Sequence, residues 1–507
     1  MRASNRIVVN TLAQYVRTIL NLLLSLYSAR LVLDILGVVD YGLYALVAGV
    51  VSMLSFFINS LVSSTQRFLS ISQGMGDLQR LKEVFSNSLL LHILLGGIVA
   101  LLLESLTPFL FNGFLNIPIG REKAATILYQ QVILMVYVSF IASPYRALLV
   151  SRENIVYTSV IEVLDGILKI VLVLLLPLIP LDNLVMYGWA MLLISIFNLG
   201  SFSIYAHAKY AECIFPRLRY FRFSYVRELS SYTGWVVYST LCIALRTQGM
   251  ALVLNRGFGV AVNAAYGVGA QISGMVGFVS TSFNNAVAPQ LMASEGGGNR
   301  ERMWLLAKME SKYSFLLLAM IGIPTMFEMQ SLLELWLVDV PPATMLFGSM
   351  FLSMQIIDML TSGLGLANRA IGKIGMYTVL TYTPKLLILP CGWLALNAGM
   401  SLWVICALMV IVEAVCMLLR IPLIMKERGF DASDYCWEVL FRTQIPVVLS
   451  IIACCIICFS LDFPFRFLLT FAVSIVVFAF AAYRWSLTNM EREKIVNLLH
   501  GVFARLQ

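Results

Sequence analysis

Residues 7–36 read IVVNTLAQYVRTILNLLLSLYSARLVLDIL, a run dominated by Leu, Ile and Val. A helix rises about 1.5 Å per residue and the hydrocarbon core of a bilayer is about 30 Å thick, so roughly 20 mainly apolar residues cross it. The run exceeds the apolar part of a cleaved leader and no small-residue cleavage motif follows it, so it reads as a first span. Thirteen more such stretches follow, at 40–70, 83–109, 124–149, 155–178, 184–208, 229–256, 260–291, 304–327, 342–368, 374–396, 400–425, 443–461 and 465–485. With 60% hydrophobic and 12% charged residues over 507 positions, a soluble globular domain is excluded. No ten-residue alternation marks barrel strands, which leaves helices as the way to satisfy backbone groups in lipid. The expected fold is all-α, a polytopic membrane protein with fourteen transmembrane helices.

Lys and Arg outside the spans set the orientation. One set of connections, with both ends, carries 22 of them, including the cluster from Lys209 to Arg227 and the group Arg420, Lys426, Arg428 and Arg442; the other set carries only Arg121, Lys123, Arg256 and Arg466. Positive residues stay on the cytoplasmic side, so both termini are expected inside. The net charge of +8 then follows from topology and anionic lipid, and requires no nucleic acid. The nine cysteines lie mostly in apolar stretches, and His92, His207 and His500 are far apart. Neither a metal, a cofactor nor a disulfide is expected.

The chain also repeats faintly at an offset of about 222 residues. The segment from Gly74 to Lys82 aligns with that from Gly296 to Trp304, and Tyr44 with Tyr266. Six spans per copy insert both copies the same way up, related by an axis along the membrane normal; chance similarity of apolar segments is the alternative. The expected organisation is a six-helix lobe at 1–208, a cytoplasmic linker at 209–228, a second lobe at 229–430, and two further spans with a tail at 431–507.

Polarity is most costly at mid-bilayer. Asn10, Gln14, Arg17, Asn21, Ser25 and Ser28 lie three and four apart, on one helical face. The second span repeats this with Ser52, Ser55, Asn59, Ser63, Gln66 and Ser70, and the eighth more loosely with Gln271, Ser282 and Asn285. Helix packing is the bland account of the small residues, but Arg17 sits ~15 Å deep, where it cannot easily reach a headgroup. Glu162, Asp165 and Lys169 share a face of the fifth span, and Arg246, Asp358, Lys385 and Glu413 are also deep. Each central charge costs roughly 2.5–3.5 kcal/mol, so packing alone is a poor account of them, although Asp165 and Lys169 are spaced to pair along their own helix. Arg30, Arg67 and Arg146 lie nearer span ends, where snorkelling competes with any other role. Pro144, Pro289 and Pro324 are expected to kink or break their helices, and Gly363 and Gly365 to loosen another. There is no GxxxxGK[ST] loop, so no ATPase is encoded.

Asp40-Tyr-Gly-Leu-Tyr44, the polar second span, and Ser64-Thr-Gln-Arg-Phe68 leading to Gly74-Met-Gly-Asp77 resemble the N-terminal region of Wzx-type bacterial polysaccharide flippases. These belong to the multidrug/oligosaccharidyl-lipid/polysaccharide exporter superfamily, and the duplicated twelve-span core with two extra spans is similar to it over nearly the whole chain. The resemblance implies a non-enzymatic transporter in the bacterial plasma membrane. It turns a polyprenyl-diphosphate-linked oligosaccharide from the inner to the outer leaflet for O-antigen or capsule synthesis, with a polysaccharide polymerase as a partner. Arg17, Arg246, Lys169 and Lys385 are then the cations for the diphosphate, with Arg17 and Arg246 meeting it in one hollow. Gln14, Asn21, Asn59, Gln271 and Asn285 would line a polar path for the sugar. Proton or sodium coupling would use Glu162, Asp165, Asp358 or Glu413. A cation-coupled drug or metabolite antiporter of the same superfamily, and a membrane glycan polymerase or ligase, are the rival readings.

The orientation has a direct check. In a background without native cysteines, a membrane-impermeant maleimide added to spheroplasts should label Lys123→Cys and leave Arg300→Cys unlabelled; the reverse pattern would invert the topology.

Overall fold

The computed structural model describes residues 3–111, 117–118, 120–216, 218–337, 339–461, 463 and 465–493. Arg2, Arg217, Lys494, His500 and Arg505 lie outside this set, as do the side chains of Ser52 and Ser55. The described residues form helices and connections, with no strand among them. Among the described residues nine helices are long and apolar enough to cross a membrane, or eleven if each of two bent pairs counts as one span. The protein is therefore an all-helical multi-pass membrane protein. The stretches 40–70, 155–178 and 260–291 are helical as well but fall outside those eleven.

In chain order the helices are α1 (Ala3–Gly74), α2 (Leu78–Phe109), α3 (Glu122–Ser151), α4 (Ile155–Leu175), α5 (Asn183–Lys209), α6 (Phe223–Phe258) and α7 (Val260–Gly296). There follow α8 (Arg300–Phe327), α9 (Met329–Trp336), α10 (Thr344–Met359), α11 (Ser362–Ile371), α12 (Ile374–Leu386), α13 (Ile388–Asn397), α14 (Leu402–Ile424), α15 (Ala432–Tyr435), α16 (Gln444–Ser460) and α17 (Arg466–Ala481). Gly37 breaks α1 with φ 76° and ψ 167°, a backbone geometry that glycine reaches without the Cβ penalty. Helices α3, α7 and α8 run through Pro144, Pro289 and Pro324 without interruption of their helical course. The breaks come elsewhere, with a 79° bend between α8 and α9 and a 49° bend between α10 and α11.

The chain forms two compact units, Met1–Thr240 with Asn285–Asn299, and Leu241–Asn284 with Arg300–Gln507. The division cuts through α6 and α7. In the first unit, α3 packs against α1, α2 and α5 around a core that includes Leu128, Val132, Leu184 and Met191. Arg121 precedes α3 and ties it to Asp40 and Asp182. Burial alone would raise the Asp182 carboxyl, but the Arg121 hydrogen bond and the backbone N–H groups of Leu184 and Val185 outweigh it and hold its pKa below the ordinary value. At the other end of the unit, Glu153, at φ 57°, accepts from Asn10 Nδ2 through its carbonyl and from Gln290 Nε2 through its carboxylate, both at 3.0 Å.

The second unit has cores around Met250, Phe347, Met354 and Met409, and around Phe315, Ala319, Cys454 and Phe478. Its α10–α11 break frees backbone groups that side chains then satisfy, as an interrupted membrane helix requires. Tyr435 donates to Leu360 O at 2.8 Å, Ser311 Oγ accepts from Gly363 N at 2.9 Å, and Arg420 reaches Asp358 O at 3.3 Å. Gly363 lies so close to α8 that a Cβ there would stand 1.9 Å from Ala307 O. The glycine expected to loosen the span is the one that lets it pack.

The sequence repeat has a structural counterpart inside the first unit. A Cβ on Gly74 would meet Ala293 O at 1.9 Å, and one on Gly296 would meet Ile71 O at 2.1 Å. Ile71 and Ala293 are related by the same 222-residue offset as Gly74 and Gly296. The contact is therefore reciprocal, residue for residue, as across a twofold. Small residues permit such backbone approach in membranes. Gly74→Val and Gly296→Val should each cost ~1–3 kcal/mol through overpacking. Thermal melting in detergent should fall for both and not for Gly97→Ala, which has open space around it.

Candidate functional site

Five helical segments of the first unit surround a cavity of about 440 Å³. Asn21 enters from the first half of α1, Asn59 from its second half, Arg146 from α3, Glu162 and Asp165 from α4, and Asn198 from α5. A neighbouring cavity of about 340 Å³ shares Asn21, Glu162 and Asp165 and adds Ser25, Ser28, Lys169 and Tyr44. The α4 face that carries Glu162, Asp165 and Lys169 is thus the wall between the two. The one-sided polar spacing of α1 and α4 places these groups inward while Leu, Ile and Val cover the outer faces.

Glu162 is held between two arginines, accepting from Arg17 Nη1 at 2.7 Å and from Arg146 Nη2 at 2.6 Å. Asp165 pairs with Lys169 one helical turn on, at 2.7 Å, and accepts from Asn198 Nδ2 at 2.6 Å. Three cations face two carboxylates, leaving one net positive charge. The cluster is open, with the side chains of Arg146 and Lys169 38% and 42% exposed. Solvated ion pairs are worth about 0–1 kcal/mol and exchange partners cheaply. An entering anion can therefore displace Glu162 from an arginine without stranding a buried charge.

The second unit holds a cluster of the same sign. Glu413 is shared by Arg246, at 2.7 Å, and Lys385. Asp358 accepts from Arg420 at 2.6 Å and lies 3.9 Å from Lys385. Again three cations face two carboxylates, but this cluster is closed around Glu413, with Arg246, Lys385 and Glu413 only 11%, 4% and 3% exposed, while Asp358 is 31% exposed. Arg246 and Lys385 line neither cavity. Arg17 shares Glu162 with Arg146 in the first unit, and Arg246 pairs with Glu413 in the second. Arg420, counted in sequence among cytoplasmic connection residues, is buried in α14 and serves the α10–α11 break.

The remaining expected residues distribute plainly. Asn21 and Asn59 line the cavity. Gln14 is buried in the first unit and accepts from Asn285 Nδ2 at 3.5 Å. Gln271 is exposed on α7 and lines neither cavity. Arg67, a weak candidate by sequence, is buried with its guanidinium 4.8 Å and 4.5 Å from the ring centroids of Phe68 and Tyr232. Ser195, Asn198 and Phe202 on α5 were not singled out from sequence, although their spacing of three and four places them on one face.

Removing one member of the closed cluster leaves its partners charged and buried, at a cost of about 3–5 kcal/mol. Glu413→Ala should therefore lower the melting temperature more than Lys385→Ala, because it takes the carboxylate from both Arg246 and Lys385, whereas Lys385→Ala leaves Glu413 with Arg246 and Asp358 with Arg420; Glu413→Gln with Lys385→Met should recover part of the loss.

A family model described as "Polysaccharide biosynthesis protein" matches residues 5–294. No curated protein matches the sequence. Among solved structures, a MATE protein in the bent conformation superimposes with a TM-score of 0.73 at 13% identity, covering 87% of this chain and 98% of that one. A variant of the Vibrio cholerae MATE transporter VcmN gives 0.71 at 15%, covering 84% and 98%. A MOP superfamily transporter from Pyrococcus furiosus, titled for the reverse polarity of its binding pocket, gives 0.70 at 14%, covering 82% and 94%. At such identities the likeness is one of fold, shared with these three structures. The family model spans more than half of the sequence, and the chain belongs to the polysaccharide biosynthesis protein family.

Proposed function

We propose that the protein is a flippase that moves a polyprenyl-diphosphate-linked oligosaccharide from the inner to the outer leaflet of the bacterial plasma membrane, for assembly of a surface polysaccharide. The carrying observation is the open Arg17–Glu162–Arg146 cluster, whose Glu162 and Arg146 line a polar cavity of about 440 Å³ and whose Arg17 is tied to that lining through Glu162, within a chain of a polysaccharide biosynthesis family. The two guanidiniums offer forked donors of the kind that suit phosphate oxygens. Asn21, Asn59, Ser139, Ser195 and Asn198 offer hydroxyl and amide partners to sugar hydroxyls. The lipid tail stays in the bilayer. Outward movement of the anionic head down an interior-negative potential yields about 2.3 kcal/mol per charge per 100 mV, so the reading needs neither ATP nor catalysis by this chain. In this reading fourteen helices cross the membrane with both termini inside, and two six-helix lobes alternate access.

A second reading, a cation-coupled antiporter, is favoured by one observation: Glu162 and Asp165 line both cavities and would suit a cationic substrate. The two part on charge preference. In a strain deleted for this gene, Arg17→Ala and Arg146→Ala should each reduce surface polysaccharide at least tenfold at equal protein level, with lipid-linked intermediate accumulating, while Arg17→Lys retains part of the export. Unchanged export in both alanine variants would sink the flippase reading, and hypersensitivity of the deletion strain to cationic drugs would favour its rival.

A further inference from the structure

Among the described residues of the second unit, one fully buried carboxyl group forms no ion pair. Glu310 lies in α8, about 15 Å along the helix from Arg300, and its relative exposure is 0%. Its three hydrogen-bond partners are neutral. Asn284 Nδ2 donates to Oε1 at 2.9 Å, Ser314 Oγ to Oε1 at 3.0 Å, and Ser362 Oγ to Oε2 at 2.7 Å. Among the described residues no Lys, Arg or His forms an ion pair with it, and the charges nearby are engaged elsewhere. Arg420 binds Asp358, Lys312 binds Glu491, and Lys308 binds Asp434 and Glu438. Tyr435, facing from α15, donates to Leu360 O and can accept from Ser311 Oγ, 2.8 Å away. Asp358 on α10 is the other acid facing this region, and it is paired with Arg420. An ionised carboxylate buried without a cation is expensive, and such a group neutralises instead.

Ser362 supplies the geometric argument. Its Oγ lies 2.7 Å from Glu310 Oε2 and 3.0 Å from the carbonyl oxygen of Met359. A hydroxyl has one proton to donate and lone pairs to accept with, so it cannot serve both acceptors at once. A proton on Oε2 resolves the conflict, because Glu310 then donates to Ser362 Oγ and Ser362 donates to Met359 O. Asn284 and Ser314 keep their bonds to Oε1 in either state. Ser362 is also the first residue of α11, just beyond the 49° bend after α10. Ionisation turns its hydroxyl to the carboxylate and withdraws it from the last residue of α10.

We infer that Glu310 is a proton-binding site, built with Asn284, Ser314 and Ser362, whose charge state acts on the α10–α11 break. The site is separate from the first-unit cavity. As a coupling device it rests on the flippase reading, because uptake and release of this proton would tie glycolipid export to the proton gradient.

The binding step is tested on the purified full-length protein in lipid nanodiscs by infrared difference spectroscopy during alkaline titration. The wild type should lose a protonated-carboxyl C=O band that Glu310→Gln lacks throughout. The same band in both proteins, or a wild-type response to sodium chloride and not to pH, would overturn the inference. Gln retains an acceptor for Asn284 and Ser314 and a donor for Ser362, so its melting temperature should match the wild type within a few degrees. If that variant fails to fold, Ser362→Ala keeps the carboxyl and should move the midpoint of the band; an unmoved midpoint counts against the site. In proteoliposomes with polyprenyl-diphosphate oligosaccharide, an imposed proton gradient should accelerate the wild type severalfold and leave Glu310→Gln unaffected. A protein that shows the band but moves no glycolipid supports the site and sinks the flippase reading. Gradient-dependent flipping by Glu310→Gln does the opposite.

Discussion

The shared constraint is that a charge taken out of water must find a counter-charge, a dense set of hydrogen bonds, or a route back to water. Each deep charge in this chain uses one of these. Arg246 and Lys385 converge on Glu413, Arg420 closes on Asp358 and Thr361, and Glu310 collects three neutral donors. Arg146 and Lys169 instead border cavities, and Arg17 pairs with Glu162, which lines both. Helix placement follows from this constraint as much as from apolar packing, because in lipid the hydrocarbon surroundings give two helices little reason to prefer each other over acyl chains.

The two charge clusters have the same formal balance and opposite accessibility, which assigns them different work. The open cluster in the first unit can trade one partner for another, the property that reversible binding of an anionic headgroup needs. The closed cluster cannot be separated without a large penalty, and it joins α6, α12 and α14 through Arg246, Lys385 and Glu413. The proposed function puts binding where exchange is cheap and scaffolding where it is costly. The α10–α11 break lies between these regimes. Its freed backbone groups depend on side chains from α8, α14 and α15, so one proton at Glu310 has something to act upon.

The reciprocal contact of Gly74 with Ala293 and of Gly296 with Ile71 gives the faint repeat a physical basis. Glycine is required at both positions, because a Cβ at 1.9–2.1 Å from a carbonyl oxygen cannot be accommodated by moving a side chain. The apolar surface elsewhere is loosely constrained, since many residues are equally at home in lipid.

Sequence alone determined the class of molecule, its helical character and the inward faces of α1 and α4, because span length, composition and residue periodicity are local properties that lipid reads directly. It also picked out Glu162, Asp165 and Lys169 as one face, and Asp165–Lys169 as a pair within reach of one turn. Tertiary structure alone decided which charges meet. Arg146 looked like a span-end residue and proved to share Glu162 with Arg17, Arg246 proved to belong with Glu413, and Arg420 proved to be interior rather than in a connection. These partners are 16, 145, 167 and 62 residues apart in the chain. Depth along a helix can be counted from its first residue, but the facing neighbour depends on how the helices rotate and cross, and no single segment encodes that.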